Sequence, residues 1–282
     1  MERAQLFRAA RFALFAFYVA GTAGCGKPAA VALAAVTPIS TAEAADTQGD
    51  EENGRGEGYA FHIRYPTLDP AWHTLHDAMH AYAETQKKDF LAAQSGEKSP
   101  NAGEQQLDIT FNIARRTDEF VSVLANGSSY TGGAHPNPLV AGFILHSADD
   151  RIVSLPDLFT DSDAALKILS AESRQQLEGR FEAQLRDQIG EGPTLAPALK
   201  TMRDMVEAGT AAEAKNFSVF LVDGLESKAI GLTLVFPPYQ VAPYVDGTPQ
   251  VEVPAKLFHS LVKPEYVGAF HWDTEAEKAA QR

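Results

Sequence analysis

A single cysteine, Cys25, stands in 282 residues, so no disulfide can form within the chain. Long apolar runs are missing too: the N-terminal stretch 12–20 is too short to cross a bilayer as a stable helix. Positive charge is scarce, with 24 Lys and Arg against 37 Asp and Glu and a net charge of −13. Such a chain repels nucleic acid and anionic headgroups, which argues against nucleic-acid binding and directs its long-range field toward basic partners. The chain has no repeat of fixed period, no phosphate-binding loop, no G-x-S-x-G elbow and no H-E-x-x-H pair. Without the signatures of a named chemistry, organisation has to be read from pattern.

Arg3, Arg8 and Arg11 precede the apolar stretch, and small residues then lead into Cys25, which is the arrangement of an export signal. Cys25 stands where a bacterial lipoprotein signal places its acylated cysteine. Residues 1–24 are then a signal peptide, and the mature protein is lipid-anchored and faces the periplasm, touching the membrane only through that anchor. The alternative is cleavage after Ala44, at an Ala-x-Ala site, which removes 1–44 and leaves a soluble periplasmic protein. Either cut removes a net +2 and takes the charge from −13 to −15. Residues 25–58 have no apolar periodicity and few large side chains, so they read as a disordered tether.

Beyond residue 58 the periodicities alternate between strand and helix. Tyr59, Phe61, Ile63 and Tyr65 recur with period 2 and predict a strand that Pro66 ends. Asp69 and Pro70 have the form of an N-cap and first turn, and predict a helix through residue 92 with Trp72, Leu75, Met79 and Tyr82 on its apolar stripe. Strands are expected over 107–114, 120–123, 139–146, 152–155, 217–222, 229–236 and 251–254, and helices over 162–189, 195–207 and 255–262. Elements cluster by type rather than alternating strictly, which predicts an α+β fold of antiparallel sheets packed by helices.

Two loops concentrate the interesting side chains. In the first, Tyr130, Thr131, Gly132, Gly133, Ala134, His135, Pro136 and Asn137 force a bend, because glycine permits positive φ and Pro136 fixes its own φ. Such a bend presents Tyr130 and His135 from a fixed backbone. The second runs from Phe236 through Pro237, Pro238, Tyr239, Pro243 and Tyr244 to Gly247, a proline-stiffened aromatic loop suited to a protein or glycan surface. The binding residues expected are Tyr130, Gly132, Gly133, His135, Asn137, Tyr239 and Tyr244. A catalytic alternative makes His135 a general base, with Ser129 (or Ser128) as nucleophile and Asp157 (or Asp149) orienting the imidazole. His73, His76 and His80 share one helix face with zinc-type spacing, but the glutamate of a zinc hydrolase is absent and the face reads as solvated polar surface. No metal or other cofactor is expected.

With the elements in place, the chain resembles the paired module of RsiV-type anti-sigma factors and of the N-terminal part of PdaC-type peptidoglycan deacetylases. Three segments carry this in order: residues 130–137, the run Leu155, Pro156, Asp157, Leu158, Phe159, and residues 236–247. The stretch 59–90, with Tyr65 and Pro66 before a helix, resembles the smaller N-terminal half of the pair. The resemblance implies a small α/β subdomain over 59–128, a larger RsiV-like domain over 129–263 and a C-terminal tail over 264–282. It also implies an extracytoplasmic module that binds lysozyme or belongs to a cell-wall modifying protein. Neither a cytoplasmic sigma-binding segment nor the deacetylase's Asp and His ligands accompany it in this sequence. The expectation is a non-enzymatic cell-envelope binding module, engaging a basic lysozyme-like protein or peptidoglycan. The alternative is a small cell-envelope hydrolase using His135.

Overall fold

The computed structural model describes residues 48–94 and 103–272. Cys25, Ala44 and the signal segments lie outside the described residues, as do 273–282 of the expected tail.

Six strands form the larger sheet in simple sequence order: β1 (Gln48–Gly56), β2 (Tyr59–Pro66), β3 (Gln105–Arg116), β4 (Phe120–Tyr130), β5 (Asn137–His146) and β6 (Arg151–Ile152). All neighbours are antiparallel except β2 and β3, which run parallel with helix α1 (His73–Ala93) as their crossover. The described residues of the expected tether are thus ordered from residue 48, since β1 pairs with β2 over most of its length. The division expected at residue 128 runs through a hairpin, because β4 and β5 pair from Phe120 with His146 to Ser129 with Asn137.

Alternation along β2, β3 and β4 puts Ile63, Tyr65, Leu107, Ile109, Phe111, Val121 and Val123 on one face. Helix α1 covers that face with Leu75, Met79, Ala83 and Phe90, each at most 2 % exposed. Burial of Leu75, Met79 and Phe90 contributes roughly 1.5–3 kcal/mol apiece before ordering costs. The start of α1 differs from expectation: Asp69 accepts from the Ala71 amide in a turn, and the helix begins at His73. Its first turn is instead capped from the β5–β6 turn, where Asp150 accepts from the backbone amide and hydroxyl of Thr74.

Central strand β4 is buried on both faces over its first six residues. Its second face, with Phe120, Ser122 and Leu124, meets the second sheet, an antiparallel array of β7 (Phe220–Leu225), β8 (Lys228–Val235) and β9 (Gln250–Pro254). The Ser122 hydroxyl, fully buried, accepts from the Val222 amide at 2.9 Å and pins β4 to β7. Gly142 on β5 permits this approach, since a Cβ there would lie 2.9 Å from the Phe220 carbonyl oxygen. The β7–β8 reversal falls at Glu226 and Ser227. Gly224 is needed where it stands because a Cβ would come within 2.7 Å of Thr117 Cγ2.

Helices α2 (Ser162–Ile189) and α3 (Leu195–Gly209) cover the far side of the three-stranded sheet. Asp161 caps α2 by accepting from the Ala164 amide, and Gly190 ends it at φ 65°. The expected helix over 255–262 is two 3₁₀ turns, Ala255–Leu257 and His259–Leu261. The fold continues past residue 263 through α4 (Pro264–Val267), and Tyr266, Ala269 and Phe270 complete the core. No helix among the described residues is long and apolar enough to cross a membrane.

Candidate functional site: an aromatic platform on two loops

The β4–β5 loop and the β8–β9 loop meet at one end of the molecule. Gly132 takes φ 97° and supplies the left-handed residue that reverses the chain; among the described positive-φ glycines Gly133 does not figure. His135 emerges exposed from this turn. Its Nδ1 lies 3.0 Å from the Pro136 carbonyl oxygen and its Nε2 lies 3.1 Å from the Tyr239 hydroxyl. The ring stacks on Tyr244 with centroids 5.0 Å apart, and Tyr239 and Tyr244 lie 5.7 Å apart. Three rings from two distant segments therefore form one surface. Tyr239 is 51 % exposed, Tyr244 39 % and the adjacent Val245 85 %.

Local chemistry builds the second loop stiffly. The Gln240 amide donates to the Pro237 carbonyl, closing a four-residue turn with Pro238 second and Tyr239 third. That third position needs positive φ when proline precedes it in a type II turn, and Tyr239 has φ 72°. A tyrosine held there costs about 1–2 kcal/mol relative to an unstrained backbone. The Gln240 side chain anchors the loop by donating to the Gly209 and Asn216 carbonyls at 2.9 and 2.7 Å. From α2, Gln184 donates to Asp246 at 2.8 Å. These two glutamines and Val245 carry no signal in the sequence, because their role depends on which helix lies beneath the loop.

Other expected site residues lie elsewhere. Tyr130 and Asn137 are the ladder residues that flank the turn, pairing with Gln106 and Ser129 respectively. Ser129 is a strand residue between β3 and β5. Asp157 accepts from the amide and hydroxyl of Ser154 in a 3₁₀ capping box, and those bonds hold its carboxyl below the usual aspartate value. It lies near Arg151, which pairs with His146 at the opposite end of β5. Ten strand residues separate that end from the His135 turn by roughly 30 Å. Asp149 also sits there and bonds His146 Nδ1 at 2.6 Å, while His146 Nε2 lies 3.7 Å from Glu119. The three-residue catalytic arrangement is not assembled, and both nitrogens of His135 already have neutral partners.

A second concavity, a groove of about 350 Å³, opens between the start of β1, the β2–α1 loop and α1. Asp50, Tyr65, Trp72, His73, His76 and His80 line it. The His80 ring lies flat on Tyr65 at 4.0 Å and 4.2 Å from the His76 ring. Burial, then the charge of His76, lowers the His80 pKa, and burial with nearby Glu52 and Glu84 pushes the Tyr65 phenol up to about 12. Among the described residues, no three or more His, Cys, Asp or Glu converge as a ready metal site.

Residues 156–256 match the family model described as a protein of unknown function, DUF3298. The chain is 20% identical over 213 residues to the peptidoglycan-N-acetylmuramic acid deacetylase PdaC of Bacillus subtilis (strain 168), covering 75% of this chain and 41% of that protein. It thus spans about two fifths of the length of that relative. Its fold is similar to the crystal structure of a DUF3298 family protein from Pseudomonas aeruginosa PAO1, with TM-score 0.52 and 17% identity, covering 76% of this chain and 92% of the other. A DUF3298 family member from Bacteroides fragilis aligns with TM-score 0.48 and 14% identity, over 78% and 94% of the respective chains. Both the platform's second loop and the anchoring helices fall inside residues 156–256, the segment of this α+β chain that matches the DUF3298 model.

Proposed function

We propose that this chain is a non-enzymatic binding module of the bacterial cell envelope whose contact surface is the platform of His135, Tyr239 and Tyr244. The observation that carries this reading is Tyr239: an exposed ring is held on a left-handed backbone, beside two further rings, by a loop anchored from beneath. Strain of that kind persists where the surrounding structure enforces it, and it clusters at sites of use. Rigid rings with polar tips offer contact area at low entropic cost and suit the apolar face and hydroxyl rim of a sugar. Peptidoglycan is therefore the first ligand class, in keeping with similarity to a protein named for acting on it. Cys25 acylation would fix the module to a membrane facing the periplasm, and cleavage after Ala44 would release it as a soluble periplasmic protein.

A basic lysozyme-like protein is the second reading, and the observation favouring it is the net charge of −13. Retention on purified sacculi and on immobilised lysozyme, measured at low and moderate salt, separates the two. Glycan stacking survives the salt increase, whereas charge-steered protein binding falls steeply. Retention on neither, even at low salt, refutes the proposal. The hydrolase alternative predicts turnover of sacculi that is lost in His135→Ala with fold intact. The binding reading predicts no turnover and loss of retention in the same variant.

A further inference from the structure

The second sheet covers only part of the face on which it packs. Leu124 and Val140 meet Val219, Leu221 and Val235, and farther along β4 burial falls from complete to partial. Asn126, Ser128 and Tyr130 continue on the same side as Leu124, since side chains two apart in a strand share a face. Register carries that side across the sheet: Ser128 stands opposite Asp108, Asp108 beside His62, and His62 opposite Asn53. A neighbouring row joins Tyr130, Gln106, Ala60 and Arg55. Helix α1 packs on the other face of these strands, and α2 and α3 lie beyond the second sheet. Asn53, Arg55, Gln106 and Asp108 are accordingly exposed. With Ala60 and His62 they line a concavity of about 510 Å³.

This floor carries both signs of charge, each with groups left over. Arg64 stands opposite Glu51 in the ladder, yet its guanidinium donates to the Thr110 hydroxyl at 3.1 Å, a neutral acceptor. Glu51 instead lies 3.6 Å from His62 Nε2. Arg55 makes no ion pair among the described residues, and neither does Asp108. Two guanidinium groups without a carboxylate partner are notable in a chain of net charge −13. Guanidinium binds carboxylate through paired, charge-assisted hydrogen bonds, and a free aspartate beside it suits an ammonium group. Between the charges, Asn53, Gln106, Asn126 and Ser128 supply the neutral donors and acceptors that peptide groups require.

The floor also runs into the platform. The 236–247 loop leaves the second sheet after Val235, on this side of the larger sheet, and Tyr130 leads directly into the turn that carries His135. Tyr130 and Arg55 end one row across four strands, three gaps of about 4.8 Å and so roughly 14 Å apart. An extended peptide of about four residues spans the same length at 3.3–3.6 Å per residue.

We propose that the open face of β1 to β4 binds the peptide stem of peptidoglycan, with Arg55 and Arg64 taking its carboxylates and Asp108 its ammonium group. The stem is a short peptide bearing both kinds of charge, and the sugar to which it is joined occupies the platform. This assignment rests on the reading of the platform as a sugar-binding surface and adds the part of the ligand which that surface leaves free.

An amide-shift titration of the full chain with a soluble disaccharide–peptide fragment of peptidoglycan, beside the same disaccharide freed of its peptide, tests this. Both fragments are expected to move resonances of the 239–245 loop, and only the peptide-bearing one those of residues 53–64 and 106–110. The peptide-bearing fragment binds at least tenfold more tightly. Combining Arg55→Gln with Arg64→Gln removes that advantage, so that the two fragments bind alike, whereas Tyr239→Ala weakens both. If Arg64→Gln lowers the melting temperature by losing its bond to Thr110, Arg55→Gln alone, which breaks no ion pair among the described residues, must still reduce the advantage. Equal affinity of the parent for the two fragments, or an advantage that persists in the double variant, overturns the floor and leaves the platform standing. Shifts at the floor alone, unaffected by Tyr239→Ala, overturn the platform and keep the floor. Shifts at neither place overturn both.

Discussion

Tyr239 allows backbone strain and ligand contact to be measured on one residue. At φ 72° any L side chain pays the left-handed penalty, about 1–2 kcal/mol, which glycine escapes. Glycine in turn loses more conformational entropy on folding, by roughly 0.5–1 kcal/mol. Tyr239→Ala keeps the penalty and loses the His135 hydrogen bond and the Tyr244 contact. Tyr239→Gly loses the same contacts but relieves the backbone. The glycine variant is therefore expected to be more stable than the alanine variant by about 0.5–1 kcal/mol, a difference of roughly 1–4 °C in melting temperature for a domain of this size. Both variants lose sacculus retention, and Tyr239→Phe, which keeps the ring, retains most of it. Thermal denaturation followed by circular dichroism, beside a retention assay on the same preparations, measures both quantities. An alanine variant as stable as the glycine variant refutes the strain argument. Full retention by Tyr239→Gly refutes the platform.

The interface between the sheets gives two further predictions. Ser122→Ala leaves the Val222 amide buried without its acceptor and costs about 1–3 kcal/mol, read as a lower denaturant midpoint at unchanged slope. Gly142→Val drives a branched side chain into the Phe220 backbone, where even a Cβ lies at 2.9 Å, and destabilises by at least about 1–3 kcal/mol. A midpoint unchanged in either variant means that β4 or β5 does not pack on β7 as described. Asp157 supplies the pH-dependent case. Ser154 bonds lower its folded pKa below the ordinary aspartate value, so its stabilisation is fully present above that value and is lost as pH falls through the lower, folded one. Asp157→Asn should unfold more easily than the parent at pH 6 and match it in strong acid. Equal stability at pH 6 would show that the capping box contributes nothing.

Much of the architecture was legible because burial imposes period. The alternation of β2 and β3 and the Leu75, Met79 stripe needed only one solvent-facing side to be readable. What escaped the sequence has a common physical cause, namely tertiary partners doing work that local residues usually do. Asp69 and Pro70 have the form of a helix start, yet the cap on α1 comes from Asp150, 76 residues away from Thr74. Asp223 and Gly224 have the form of a turn, yet Gly224 serves a close approach to Thr117 and the chain reverses later at Glu226. Residues 48–56, polar and rich in glycine, lack any apolar period of their own, and β1 exists because β2 offers it an edge. Glycine and aspartate are ambiguous in sequence for this reason, since a tight turn and a tight crossing select the same residues.

The platform follows the same logic from the other side. His135, Tyr239 and Tyr244 were each identifiable as rings on stiff loops, because proline and glycine declare a constrained backbone without help from distant partners. Their meeting was not, since 104 residues separate His135 from Tyr239 and only the packing of β7 on β4 and β5 brings the two loops to one end. That packing depends on small, buried features: a serine hydroxyl at position 122 and a missing side chain at position 142. The surface that contacts a ligand is thus set by an interface that contacts none. A Ser122→Ala chain that remains folded should therefore show weaker sacculus retention than its residual stability alone accounts for, whereas a destabilising change confined to the α1 core, such as Leu75→Ala, should lower stability and leave the retention of folded molecules intact. Equal retention per folded molecule in the two variants would break the link between sheet packing and the platform.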